Sequence, residues 1–136
     1  MVGTRIVVSG KDRKFRGKSI DELKTLDTRE FAKLLCGRER RSVLRNFDVI
    51  ESFVKRAAKK IAKGKIPRTH IREMVIVPAL VGWTIGIHNG KTFDSIKIET
   101  DMLGHRLGEF ALTRRTVKHG AAGVGATKGS ASLSVK

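Results

Sequence analysis

The stretch that decides the fold is residues 83–115, WTIGIHNGKTFDSIKIETDMLGHRLGEFALTRR. Apolar residues alternate with small or polar ones over 83–88, which is the period of a strand with one buried face. Asn89-Gly90 supplies two adjacent residues that tolerate positive φ, so this pair predicts a type I′ turn and a hairpin. The return strand runs over 91–98, and a slip in its alternation at Asp94-Ser95 predicts a β-bulge.

A short helix notched by glycines is predicted after the hairpin. Thr100 can cap it, and Asp101 suits the positive end of a helix. Gly104 and Gly108 lie four residues apart on this helix. The two glycines allow either close packing of the helix on the sheet, or the approach of a phosphate or of a partner's backbone. Both interpretations stay open.

Three helices are predicted upstream of residue 67. The capping-box pattern at 19–22 predicts the start of the first helix, and Gly37 is a natural end for the second. Asn46 can cap a third helix that closes at Gly64, and an apolar stripe along it faces a core.

The segment between these helices and the hairpin adds a third strand. The continuous apolar run over 74–77 predicts a central strand covered on both faces, and 67–70 is predicted as a loop because it begins with proline. The fold class is therefore α+β, with a small three-stranded, mostly antiparallel sheet packed against helices.

Composition divides the chain into three parts. One α+β domain is expected over 19–115, preceded by a basic arm over 1–18. Residues 116–136 are rich in Gly, Ala and Ser. Such a segment buries too little apolar surface to offset its ordering entropy, so we expect a flexible basic tail, and we expect the arm to be disordered as well.

The net charge indicates a polyanionic partner. The 136 residues include 29 Lys+Arg against 13 Asp+Glu, a formal charge of +16. Self-repulsion of this size destabilises a compact monomer, so we expect a polyanionic partner to offset the charge. A membrane-binding helix would carry Trp opposite its basic face, but the one Trp lies in the hairpin. Nucleic acid is therefore favoured over a membrane. The N-terminal apolar run is too short for a signal peptide, so we expect an intracellular protein.

Catalysis is not expected, and no cofactor or metal is predicted. Cys36 is the one cysteine, and the four histidines lack metal-ligand spacing. His105 and Glu109 lie four residues apart and could form a general acid–base pair. A metal-dependent nuclease is the enzymatic alternative, but it would need several convergent carboxylates.

The kind of nucleic acid follows from the aromatic content and the arginines. There is no Tyr, and several of the six Phe are needed in the core, so stacking of single-stranded bases is not favoured. The arginine cluster at 38–42 is read as a loop beyond a helix end, suited to phosphate contact. Recognition of folded RNA through backbone and shape is favoured. A free-standing RNA- or DNA-binding module is the alternative.

Several motifs together resemble one family, that of small-subunit ribosomal protein nineteen, called ribosomal protein fifteen in eukaryotes. The most specific match is Asn89-Gly90-Lys91, Leu103-Gly104-His105, Leu107-Gly108-Glu109-Phe110 and Thr113-Arg114. Phe15-Arg16-Gly17 and residues 38–42 resemble the longer N-terminal portion of archaeal and eukaryotic members, and the closing 123–128 resembles archaeal members.

The resemblance implies a structural constituent of the small-subunit head that binds small-subunit ribosomal RNA and supports translation near the tRNA sites. It also implies contact with small-subunit ribosomal protein thirteen, and a C-terminal tail that extends toward tRNA. Charge and resemblance together select the expected RNA-binding residues. The residues expected to contact phosphates are Arg38, Arg40, Arg41, Arg68, Arg72, Lys91, Arg106, Arg114 and Arg115. The residues expected to lie at the RNA surface are His70, Asn89, Gly90, Gly104, His105 and Gly108.

Overall fold

The structure is a computed structural model that describes residues 14–114 and Thr116. Most of the predicted arm (1–18) and nearly all of the predicted tail (116–136) therefore lie outside the described residues. The part of the arm that is described makes a tight turn at Arg16 and Gly17, both with positive φ. This turn brings the Phe15 ring to 5.8 Å from the Phe31 ring.

Four helices precede the sheet in the part of the chain that the structure describes. They are α1 (Ile20–Thr25), α2 (Thr28–Lys33), α3 (Gly37–Arg45) and α4 (Phe47–Ala62). The capping box of α1 is confirmed, because Ser19 and Glu22 each accept a hydrogen bond from the other's backbone N–H.

Gly37 does not end a helix, contrary to the prediction. Helix α2 already ends at Lys33, and Gly37 is the first residue of α3 after an extended Cys36. The arginines at 38–42 therefore lie on a helix and not on a loop. An additional helix occupies the segment read as a loop.

Helix α4 is the longest, and its end is the one predicted. Gly64 has φ +67°. The N–H of Gly64 donates to the Ile61 carbonyl at 2.8 Å, and that of Lys65 donates to the Lys60 carbonyl at 2.9 Å, as in a Schellman motif. Asn46 lies at the N-cap but makes no side-chain capping hydrogen bond.

The sheet has three strands in the order β1 (Arg68–Thr69), β2 (Thr84–His88) and β3 (Phe93–Lys97). Strand β1 is parallel to β2, and β3 is antiparallel to β2. The α+β prediction is confirmed, but the loop predicted at 67–70 is wrong, because β1 lies there. The backbone N–H of Gly86 also donates to the Pro67 carbonyl at 2.9 Å.

The run 74–77 is buried as predicted, but it is not a strand of this sheet. It pairs instead with the segment that contains Gly104 and His105: the N–H of Ile76 donates to the His105 carbonyl, and the N–H of Gly104 donates to the Ile76 carbonyl. Within this pairing, Val75 and Arg106 form the one antiparallel β-bridge. Gly104 has φ +80°, which bends its segment away from a ladder.

The hairpin differs from the prediction at both the turn and the bulge. His88 pairs with Phe93, so residues 89–92 form a four-residue loop rather than a two-residue type I′ turn. Pairing is one-to-one through Asp94 and Ser95, so the bulge prediction is wrong.

The helix predicted over 100–109 is also wrong. Two short 3-10 turns, Thr100–Met102 and Leu107–Glu109, occupy it instead. A third 3-10 turn, Pro78–Leu80, precedes β2.

One core joins helices and sheet. Its fully buried side chains include Leu23 and Phe31 from α1 and α2, Ile50 from α4, and Ile85 and Ile87 from β2. Within the described part of the chain, no helix is long and apolar enough to cross a membrane.

Candidate nucleic-acid interface

Helix α3 carries a row of arginines on the side opposite the core. Val43 is buried, and Arg38, Arg41 and Arg45 are exposed. At 100° per residue these arginines share the face opposite Val43, spaced over about 10 Å of helix axis. We call Arg38, Arg41 and Arg45 the α3 ridge. Arg40 is exposed on the flank of the helix.

Arg45 was not among the predicted site residues. Its position four residues after Arg41, which itself lies three residues after Arg38, is the signal that could have found it. That signal is visible only once 38–45 is recognised as helical. The arginine row thus depends on the helix that sequence reasoning missed.

The end of α4 and the start of β1 form a second basic surface. Arg56, Lys60, Arg68 and His70 line a groove of about 270 Å³ whose floor includes Phe53. The residues between 52 and 72 include no acid. The structure therefore brings the predicted Arg68 and His70 together with two cations of α4.

The side chain of Asn89 holds the hairpin loop together through hydrogen bonds. Its side-chain carbonyl oxygen accepts from the backbone N–H groups of Lys91 and Thr92 at 3.0 and 2.8 Å. Its Nδ2 donates to Thr92 Oγ1 and to the Asp94 carboxylate. Asn89 is only 8% exposed, so its role is to shape the loop that presents Gly90 and Lys91 to solvent.

Arg72 ties two segments of the fold together. Its guanidinium donates to the backbone carbonyls of His88, Gly108 and Ala111, the last two at 2.8 and 2.6 Å. The side chain is half-buried. Arg72 is thus a structural clamp between the end of β2 and residues 108–111, and its contact with phosphate stays a prediction.

The two predicted glycines pack against their own chain. A Cβ at Gly104 would lie 3.0 Å from Leu35 Cδ2, and one at Gly108 would lie 3.1 Å from both the Cβ and the carbonyl oxygen of Arg72. Close packing is therefore supported, but not as a helix on the sheet, because Leu35 and Arg72 belong to no strand and the glycines to no α-helix. Approach of a phosphate stays a prediction.

His105 and Glu109 are brought together as the spacing suggested. Nδ1 of His105 lies 2.7 Å from Oε2 of Glu109, and both side chains are about half exposed. The backbone N–H of Arg106 donates to Oε1 at 3.1 Å. That hydrogen bond is the main reason the pKa of Glu109 lies below its ordinary value, and His105 adds a smaller share.

Sequence reasoning missed a cluster of rings on the outer face of the sheet. The His70 ring centroid lies 4.3 Å from that of His88 and 5.0 Å from that of Phe93. The guanidinium of Arg68 lies 5.4 Å from the Phe93 ring centroid. Only His70 and Arg68 of this group were predicted site residues.

The remaining predicted residues fall near the end of the described chain. Arg114 is exposed, whereas Arg115 lies outside the described residues. Arg106 is half-buried. Among residues 14–114 and Thr116, no group of three or more His, Cys, Asp or Glu side chains is placed to hold a metal ion.

Comparison with known proteins identifies a matching family and a similar relative. The family described as Ribosomal protein S19 matches residues 40–119, which include the α3 ridge from Arg41 onward and the whole sheet. Over 132 aligned residues the chain is 43% identical to the small ribosomal subunit protein uS19 of the archaeon Halorubrum lacusprofundi, and the alignment covers 93% of each chain.

Proposed function

The chain belongs to the ribosomal protein S19 family, and from that membership we propose that it binds small-subunit ribosomal RNA through its exposed basic side chains. The family assigns it a structural role in the small ribosomal subunit rather than an enzymatic one. The nuclease alternative built on His105 and Glu109 is therefore set aside. We interpret the hydrogen bond between these two side chains as a structural contact.

The observation that carries the proposal is that, among the described residues, every exposed lysine and arginine except Lys55 lacks an ion pair. Among the described residues, Lys55 is the one lysine or arginine in an ion pair, with Glu51 at 3.4 Å. The arginines of the α3 ridge make no ion pair with any described residue. Uncompensated charge of one sign destabilises a compact chain, and a bound polyanion offsets it.

The chemistry of the α3 ridge favours phosphate as the partner. Each guanidinium presents a planar fork of donors that matches two phosphate oxygens. Three such groups on one helix face can follow successive phosphates of one strand without reading base identity. The groove lined by Lys60 and Arg68 offers a second path for the backbone.

The finer placement rests on the resemblance described above. We assign the protein to the head of the small subunit, in contact with small-subunit ribosomal protein thirteen, in the cytoplasm. The tail over 116–136 is assigned to the tRNA-binding region. The 89–114 segment supports this placement, because it carries the most specific motifs of the resemblance.

The test is retention on small subunits in cells that express the full, tagged chain. The wild-type chain is expected to co-sediment with small subunits after a moderate salt wash. The variant Arg38→Gln/Arg41→Gln/Arg45→Gln is expected to be lost at lower salt. If the wild-type chain sediments instead with DNA or with bulk RNA, the free-standing module is the correct interpretation and the proposal is wrong.

A further inference from the structure

Three rings form a cluster on the outer face of the sheet. His88 and Phe93 meet edge to face with centroids 5.0 Å apart, and His70 lies against both. His70 is exposed, whereas His88 and Phe93 are half-buried. We call His70, His88 and Phe93 the ring cluster.

The register of the sheet creates this cluster. His88 and Phe93 are directly paired at the end of β2 and β3. Strand β1 runs parallel to β2 with Thr69 opposite Ile87, so His70 follows beside His88. The Gly90 N–H donates to His88 Nδ1 at 3.1 Å, which fixes the ring and places the proton of the neutral form on Nε2.

A cation reaches the cluster because Gly86 has no side chain. A Cβ at Gly86 would lie 3.1 Å from Arg68 Cγ and 3.6 Å from Phe93 Cβ. The stem of Arg68 therefore crosses β2 at Gly86 and brings its guanidinium to the Phe93 ring. Because residue 86 is a glycine, the guanidinium of Arg68 and the ring cluster lie on the same surface of the sheet.

Packing alone does not account for an exposed ring at position 70. The opposite face of β2 is already filled, since Ile85 and Ile87 are fully buried in the core. His88 and Phe93 suffice as the cross-strand pair that stabilises the hairpin. His70 adds a third ring that remains open to solvent beside the groove lined by Arg56 and Lys60.

We propose that the ring cluster stacks one unpaired nucleobase on His70, while Arg56, Lys60 and Arg68 hold the phosphates of the flanking nucleotides. The inference rests on the RNA binding proposed above and adds a mode of recognition to it. Unstacked bases of loops and bulges stack on aromatic side chains, whereas the bases of a duplex are unavailable. The cluster therefore recognises single-stranded nucleotides, which the low aromatic content had argued against.

The experiment compares two RNA probes that carry equal numbers of phosphates, a single-stranded oligoadenylate and a fully paired duplex. Binding of the full chain is measured by fluorescence anisotropy. All variants are compared at one fixed ionic strength, and the wild type is also measured over a series of salt concentrations. His70→Ala and His70→Gln are expected to weaken binding of the single strand by about fivefold or more and to leave duplex binding unchanged. His70→Phe keeps an aromatic face and is expected to retain single-strand binding.

Two controls make the result decisive. The urea midpoint of each His70 variant, read from Trp83 fluorescence, is expected to match that of the wild type, because the ring is exposed. Lys60→Gln is expected to weaken both probes, since it removes a phosphate contact common to them.

Equal weakening of both probes by the His70 variants, or no weakening of either, would overturn the inference. The proposed function would still stand if binding of the wild type remained steeply salt-dependent. If the wild type bound neither probe in a salt-dependent manner, both proposals would fail.

Discussion

The clamp at Arg72 should be a principal source of stability in this small domain. Its guanidinium joins the end of β2 to residues 108–111 through the carbonyls of His88, Gly108 and Ala111. Each hydrogen bond from a charged donor contributes roughly 1.5–3 kcal/mol. The three share one side chain that is only half-buried, so we expect Arg72→Ala to cost about 3–5 kcal/mol rather than their full sum.

That loss is a large fraction of the roughly 5–15 kcal/mol that stabilises a typical domain. Arg72→Lys keeps the charge but loses the fork, so one ammonium group cannot reach all three carbonyls, and an intermediate loss is expected. The measurement is urea unfolding at fixed pH and ionic strength, followed by the fluorescence of Trp83, the one tryptophan.

The matched control is Arg41→Ala on the α3 ridge. It removes the same group from an exposed position with no ion pair among the described residues, and should change stability by no more than about 0.5 kcal/mol. If Arg72→Ala also stayed within that range, the clamp would contribute nothing measurable, and Arg72 would be better explained as a free cation for RNA.

Two further predictions concern the segment around the Leu107–Glu109 turn. Gly108→Ala places a Cβ 3.1 Å from Arg72 Cβ and carbonyl oxygen, so overpacking should lower the free energy of unfolding by about 1–3 kcal/mol. Its control is Gly37→Ala, where a Cβ meets nothing within 4 Å and a helical glycine is replaced at a gain of up to roughly 1 kcal/mol; equal urea midpoints for the two variants would contradict the packing argument. The pKa of Glu109 is lowered from 4.5 in the folded chain, chiefly by the Arg106 N–H. A lowered folded pKa stabilises the fold above the unfolded value and loses that contribution as pH falls through the folded value. The stability difference between wild type and Glu109→Gln should therefore shrink below about pH 4.5, and a difference that is independent of pH would show that the carboxylate is not the source.

The elements set by local chemistry could be predicted from the sequence. The capping box at Ser19 and the left-handed Gly64 that ends α4 each depend on residues within one helical turn. The alternation over β2 likewise reports one buried face. In each case the physical cause lies in neighbouring residues, which the sequence displays directly.

The elements set by distant pairing could not be predicted. Strand β1 has two residues, which is too short to show an alternation of apolar and polar residues. The apolar run 74–77 correctly indicated burial, but burial does not reveal the pairing partner. That partner is the bent segment at Gly104.

The hairpin shows how a wrong turn prediction changes which side chains are expected to lie next to each other on the sheet surface. A two-residue turn at Asn89-Gly90 would place His88 opposite Lys91. The observed four-residue loop places it opposite Phe93 instead. The longer loop exists because the Asn89 side chain satisfies the N–H groups of Lys91 and Thr92. The polar Asp94 then lies opposite Ile87 because its carboxylate accepts from Asn89.

The candidate site was predictable in composition but not in arrangement. The sequence identified the basic residues, since charge can be counted. It could not show that Arg72 is occupied by backbone carbonyls, that Arg45 completes a helical row, or that three rings from separate segments meet. Those facts depend on tertiary contacts.

The central claim is that the α3 ridge neutralises phosphates of small-subunit ribosomal RNA. The most direct test is the slope of log affinity against log salt for the full chain and this RNA. Each phosphate contact contributes about 0.7–0.9 to that slope. Arg38→Gln/Arg41→Gln/Arg45→Gln should lower it by about 2–3, because three contacts are lost. The charge-matched control Lys14→Gln/Lys24→Gln/Lys33→Gln, which removes exposed cations outside the proposed surfaces, should leave the slope nearly unchanged. Equal slopes for the two triple variants would contradict the claim, because charge would then act without regard to its position on the fold.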